Sequence, residues 1–438
     1  MNMNKKILLL LSLCFLTGCT EPDVSEKSNK SAPKASNQTE ISVQSKPEED
    51  VMITRRPKAT AEMWNRGKLD KVPSLQKRNG LYVLDLENYD LSNVDFSNRI
   101  DDFGHAQFST RTIWPNELPE EINPSTVLEM GKNPGLNIRS LHEQGITGKG
   151  VGIAIIDNTL LVDHVEYKEN LKYYDEIFVR EQKGHASTHG PAVASVAVGK
   201  SVGVAPDADL YFIAVDYRKG ASPDFDVTHI AEAIERITDL NETLKAKNKI
   251  RVLSISNGWG DETKGVEALD NAVQRALEHN ILVLTACNDR YYDLKLHGLA
   301  RYMYNDPDVT NSYSPHEWWA EKFYNGDEIV ESEEELSQDM RKWPILTPMD
   351  ARTVASSDGT EEYRFLPNGG TSWNAPYIAG MYGLACQVSP DITPEKFFEI
   401  LIRTGEFVDI EKNGEVHKMG RVVNPVGIIN ELQKVNED

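Results

Sequence analysis

Basic residues are the minority in this chain. Its 438 residues hold 47 Lys and Arg against 68 Asp and Glu, a formal net charge of −21. That balance excludes nucleic acid as a partner and a polybasic membrane patch. Apolar runs long enough to cross a bilayer are missing, since Ile7 to Leu16 stops well short. Cysteine is scarce, 4 in all, so disulfide chemistry reduces to one candidate pair. What is present is a hydrophobic fraction of 39%, enough for a sizeable core in one large domain or two.

The first residues read as a targeting segment. Asn4-Lys5-Lys6 is a basic start, the apolar run follows, and small residues close it, as in a secretory signal. Leu16-Thr17-Gly18-Cys19 resembles a bacterial lipoprotein lipobox. The resemblance implies a signal peptide over 1–18, cleavage before Cys19, and lipid on Cys19 that anchors the protein to the extracytoplasmic face of the cell membrane. Residues 19–50 carry Ser, Lys, Glu, Asn and Pro with little to bury, and read as a disordered tether. Cys14 leaves with the signal. Cys287 and Cys386 both lie in apolar runs and read as buried free thiols, with a disulfide between them as the alternative.

Residues 51–140 read as an N-terminal extension packed on the main domain or as a removable pro-segment. Leu81, Leu86, Leu91 and Phe96 recur every five residues. That spacing resembles one coil of a pentapeptide repeat, or else marks a short β segment. Trp114-Pro115, Leu118-Pro119 and Asn133-Pro134-Gly135 predict a turn-rich path.

From Gly145 the character changes, and residues 141–438 read as one further domain. Val151 to Ile156 is almost continuously apolar, the pattern of a strand buried on both faces, and it ends at Asp157. An acid at the C-terminal end of a buried parallel strand lies where ligand crevices form in open α/β sheets. Val162-Asp163-His164-Val165-Glu166-Tyr167 adds polar groups. His189-Gly190-Pro191 opens a helix of small residues that can pack closely on a sheet. His185 is a weaker rival because it precedes the helix signals. Strands at 210–215, 252–256 and 281–286 then alternate with helical stripes, ending at Val215, at Asn257-Gly258 and at Cys287-Asn288. The order predicts a mainly parallel, doubly wound α/β sheet with helices on both faces.

Gly369-Gly370-Thr371-Ser372 leads into an apolar, small-residue helix from Pro376 to Val388. Read alone, Thr371 or Ser372 is an N-cap. Read with the rest, Ser372 is a hydroxyl held at a helix start in a field that favours developing negative charge.

Taken in order, Asp157, His189, Asn288 and Ser372 resemble the four motifs of the subtilisin-like serine proteases. Val204-Ala205-Pro206 resembles that family's turn into a strand. The resemblance implies Ser372 as nucleophile, His189 as base, Asp157 as its orienting carboxylate, and Asn288 as oxyanion donor. It also implies that Ser256, Asn257 and Gly258 border a cleft where an extended peptide adds as a strand. Several neighbours depart from the family pattern: Asn158 after the Asp, Pro191-Ala192 after His-Gly, Cys287 before Asn288, and Trp373-Asn374 after the Ser.

The expected function is therefore a lipid-anchored serine endopeptidase acting on protein or peptide substrates as a monomer. It requires no cofactor and has no metal ligand set. Structural calcium, frequent in the resembling family, has no ligand run here that demands it. The alternative is a pseudoprotease that uses the same fold for binding or sensing. An α/β-hydrolase would want Gly-x-Ser-x-Gly and the order Ser, Asp, His, and shows neither. The stretch from Arg290 to Lys342, with Trp318-Trp319 and the acidic run at 331–335, reads as a solvated insertion or a flap. Thr393-Pro394 caps a last helix with Phe397, Phe398, Ile400 and Leu401 inward.

Overall fold

The computed structural model describes residues 51–435, apart from 62, 64, 180–183, 217–225, 287–288, 293 and 326–343. At its centre is a six-stranded sheet in which every neighbouring pair is parallel. Across the sheet run β1 (Met52–Ile53), β6 (Leu171–Phe178), β7 (Asp209–Val215), β5 (Gly152–Asp157), β8 (Ile250–Ile255) and β9 (Leu282–Thr285). Alternation within β5 divides the core. Ile153 and Ile155 join the helices His189–Val198 and Asn374–Val388, whereas Ala154 and Ile156 join the helices Thr228–Thr243 and Val266–Glu278 on the other face. Both faces are thus covered, as continuous apolar strands require, and the α/β expectation holds.

Two smaller sheets flank this layer. One has the order β13 (Arg352–Ala355), β14 (Tyr363–Leu366), β4 (Ala106–Ser109), β3 (Leu81–Asp85), β2 (Gln76–Arg78). The other has the order β11 (Tyr313–Pro315), β10 (Leu296–Arg301), β12 (Ile345–Pro348), β16 (Glu415–Val422), β15 (Glu406–Lys412). The five-residue spacing resolves into β3 followed by turns, and Leu86, Leu91 and Phe96 all bury in one satellite core with Phe103, Phe108 and Phe365.

Most of the stretch read as a solvated insertion is built into the fold. Trp319 and Phe323 of the helix Glu317–Tyr324 join the main core, and Trp319 Nε1 donates to the Gly298 carbonyl at 2.9 Å. Its apolar side chains are too large to leave in water and find room beside β10. The acidic run at 331–335 lies outside the described residues, as do Cys19, the segments 1–18 and 19–50, and Cys287. Cys386 is a buried free thiol whose pKa burial pushes up to about 12. Among the described residues no helix is long and apolar enough to cross a membrane.

Candidate active site

Asp157 is the last residue of β5 and is 3% exposed. It shares the strand face of Ile153 and Ile155, so the pleat turns its carboxylate toward the helix His189–Val198. Gly190 sets how close that helix comes. A Cβ there would stand 2.4 Å from the Asn158 carbonyl oxygen and 2.7 Å from that of Thr159, so only glycine fits. Ser187 locks the approach, its Oγ accepting from Gly190 N–H at 2.9 Å and donating to the Thr159 carbonyl at 3.0 Å.

The outcome is a 2.6 Å contact between His189 Nδ1 and Asp157 Oδ1, an oxygen that also accepts from Asn158 N–H at 2.7 Å. Facing a carboxylate, Nδ1 carries the proton and donates, which leaves Nε2 as the basic nitrogen. Nε2 is buried and has no hydrogen-bond partner among the described residues. Burial alone pulls the imidazole pKa down. The Asp157 charge and hydrogen bond together pull it up by more, against a smaller opposing push from Arg364, and the net is upward from 6.5.

Ser372 sits in a single 3-10 turn, Thr371–Trp373, that runs straight into the buried helix Asn374–Val388. Reciprocal bonds join it to the end of β8. Ser256 Oγ donates to the Ser372 carbonyl at 2.7 Å, and Ser372 Oγ donates to the Ser256 carbonyl at 3.4 Å. The Ser372 hydroxyl therefore faces Ser256 and not His189. Trp373 lies nearly parallel to the His189 ring, at 15° and 6.1 Å between centroids. Gly369 supplies the turn before Ser372, since a Cβ there would meet the Met349 carbonyl oxygen at 2.2 Å. Its N–H donates to Asp350 Oδ1 at 2.7 Å. Burial pushes the Asp350 carboxyl up to about 8. It also pulls His316, whose Nε2 is 3.7 Å from Asp350, down to about 4.

Asp157 thus supports His189 from behind, while His189 and Ser372 line one cavity of about 180 Å³ with Ser256, Asn257, Gly258 and Ala286. Asn257 Oδ1 accepts from Gly258 N–H at 2.9 Å, and its Nδ2 is buried without a partner among the described residues. Asn288 lies outside the described residues, two positions beyond Ala286. His185 does not line this cavity; its backbone forms a β-bridge with Lys58 and accepts from Thr159 Oγ1 at 3.2 Å. His164 and Glu166 are structural. His164 Nε2 bonds the Glu362 carbonyl at 2.9 Å, and the Glu166 carboxylate takes Ser201 N–H and Oγ–H at 2.8 and 2.6 Å. Sequence reasoning missed other lining residues, among them Arg78, Asn79, Val83, Gln107 and Arg364, whereas Trp318 comes from the stretch read as an insertion or a flap. It missed Asp350 too, an acid two residues past the end of the apolar β12. Among the described residues no group of three or more His, Cys, Asp or Glu is placed to hold a metal ion.

Known proteins share parts of this chain. Over 170 residues it is 25% identical to the subtilisin-like protease PopC of Myxococcus xanthus, covering 34% of this chain and 35% of that one. Over 310 residues it is 25% identical to a probable subtilase-type serine protease of Deinococcus radiodurans, covering 62% and 38%. The chain therefore spans well under half the length of either curated relative. Among solved structures, the prenylagaramide maturation protease PagA aligns at 19% identity and a TM-score of 0.43, over 67% of this chain and 98% of that one. A cold-adapted subtilisin-like serine proteinase aligns at 19% identity and a TM-score of 0.40, over 62% and 88%. The Subtilase family model matches residues 148–422, which is more than half of the chain and takes in Asp157, His189 and Ser372: the protein belongs to the subtilase family.

Proposed function

We propose that this protein is a serine endopeptidase that hydrolyses peptide bonds of protein or peptide substrates. Ser372 Oγ attacks the scissile carbonyl. His189 Nε2 takes the hydroxyl proton and delivers it to the leaving amine, and Asp157 holds the ring in the Nδ1–H form and stabilises its cation. Asn288 and the Ser372 N–H donate to the oxyanion. The single observation that carries this reading is the 2.6 Å Asp157–His189 contact, with a buried, unpartnered Nε2 in the cavity that Ser372 lines. The reaction requires Ser372 to turn about χ1, away from the Ser256 carbonyl, as unliganded catalytic serines commonly do.

Cys19 carries the lipid that holds the protein at the extracytoplasmic face of the bacterial membrane, with 19–50 as its tether and 141–438 as the monomeric peptidase domain. No cofactor enters the chemistry. Metabolic labelling with a fatty-acid analogue tests the anchor: label retained by Cys19→Ser would refute it.

The binding-module reading draws on the Ser372–Ser256 bond, which leaves Ser372 off the base. Covalent labelling with a fluorophosphonate probe separates the two readings. The expected result is labelling of the wild-type chain that is lost in both Ser372→Ala and His189→Ala. Absence of labelling in folded wild-type protein, persisting when the segment before Gly145 is removed, refutes the endopeptidase.

A further inference from the structure

The stretch ahead of the family-matched region reaches into the cleft. Asn79 and Gly80, at φ 50° and 89°, close a two-residue turn between β2 and β3. Leu81 and Val83 of that hairpin, 6% and 7% exposed, line the cavity that His189 and Ser372 line.

This wall is tied to the segment that delivers Ser372. β4 pairs with β14, Phe108 against Phe365, with ring centroids 5.2 Å apart and both rings wholly buried. Glu87 accepts from Arg364 Nε at 2.7 Å and from an Arg364 terminal nitrogen at 3.1 Å. Asn88 Nδ2 and Thr60 Oγ1 both donate to Asp358, at 2.8 Å each. Removing the wall would strip Phe365 of its cover and take from Arg364 the carboxylate that balances its charge beside His189, both of them costly changes.

Arg364 is held by Glu87, whereas Arg78 shares the Asp85 carboxylate with Arg66, at 2.9 and 2.7 Å. Beside the polar Arg78, Asn79 and Gln107, the wall presents the apolar side chains of Leu81 and Val83 to the cavity.

We propose that residues 72–114 are a permanent wall of the cleft in the active enzyme, not a cover removed to activate it. The wall selects an extended peptide with an apolar side chain seated against Leu81 and Val83. This rests on the endopeptidase reading above.

A tether tests it. Thr110 N–H donates to the Tyr363 carbonyl at 2.9 Å across neighbouring strands, and paired Cα atoms of that kind stand roughly 5 Å apart, within disulfide reach. In the full chain carrying Thr110→Cys and Tyr363→Cys, the oxidised and reduced forms should label and cleave a quenched peptide at equal rates. The labelled species should retain residues 51–140 by mass. Activity that appears only on reduction, or a labelled species lacking 51–140, overturns the permanent wall while leaving the endopeptidase standing. No labelling in either form overturns the permanent wall, and it refutes the endopeptidase as well if the chain freed of residues 51–140 also fails to label. For selection, Leu81→Ala should lower kcat/KM for peptides with a bulky apolar side chain relative to a small one by roughly tenfold. Rates are taken per labelled serine so that misfolded molecules drop out, and an unchanged ratio overturns the selection.

Discussion

At the scale of single residues, His189 balances three influences: burial, the carboxylate of Asp157, and the more distant Arg364. The net upward shift sets the pH dependence. A base must be unprotonated, so kcat/KM should fall as pH drops through a point above 6.5. Arg364→Gln removes a positive charge, favours the imidazolium and should move that acidic limb to still higher pH. A limb that stays put or moves down would show that Arg364 does not act on His189. Loss of Ser372 or His189 should cost on the order of 10⁴–10⁶ in kcat, whereas His185→Ala should leave most of the rate. Equal losses from the two histidines would mean that the base is misassigned. Asp157, His189 and Ser372 were legible because each stands at the boundary of a strongly patterned element. Arg364 was not, since a lone cation in a polar stretch carries no mark of the partner it will meet.

At the scale of elements, the turn before Ser372 hangs on Asp350 through the Gly369 N–H. Asp350→Ala leaves that buried donor unpaired and should lower kcat, while Asp350→Asn keeps an acceptor and most of the rate. Stability gives a second reading of the same carboxyl. Folded Asp350 keeps its proton to about 8, so above its ordinary value of 3.8 the folded state binds the extra proton and stability falls with rising pH. His316 opposes this between about 4 and 6.5, where only the unfolded ring is protonated. A net fall is left between 6.5 and about 8, of roughly 1–2 kcal/mol. Thermal melts of Asp350→Asn across that window should show a smaller decline, leaving the part that the raised His189 contributes just above 6.5, and a decline of unchanged size would rule out Asp350 as a source. Gly190→Ala forces the helix off the Asn158–Thr159 turn and should cost roughly 1–3 kcal/mol, with activity falling alongside. β5, β7, β8 and β9 were readable from continuous apolar runs. β6 mixes Lys, Asp and Glu with its aromatics, and β2, β4, β13 and β14 are only three or four residues long. Elements so short are decided by distant partners and not by local pattern.

Taken whole, the molecule pairs early segments of the described chain with later ones. Met52 and Ile53 pair with Tyr173 and Tyr174 at the edge of the central sheet, and β4 pairs with β14. A chain starting at residue 141 should therefore fail to melt cooperatively and should bind a hydrophobic dye, where the chain starting at 51 does neither. Cooperative melting of the shorter chain would show a self-sufficient domain. This joining could not be read beforehand, because the five-residue spacing announced a buried face without saying what would cover it.

Glu87 and Arg364 are 277 residues apart in sequence, and that separation governs when a working cleft can exist. Phe108 leaves the ribosome long before Phe365 is made, so for most of synthesis its face toward Phe365 stays uncovered. Contacts this distant in sequence form late and slowly. A protease assembled this way cannot attack the cell from a half-made chain, since its specificity wall and its serine become neighbours only after both have been synthesised.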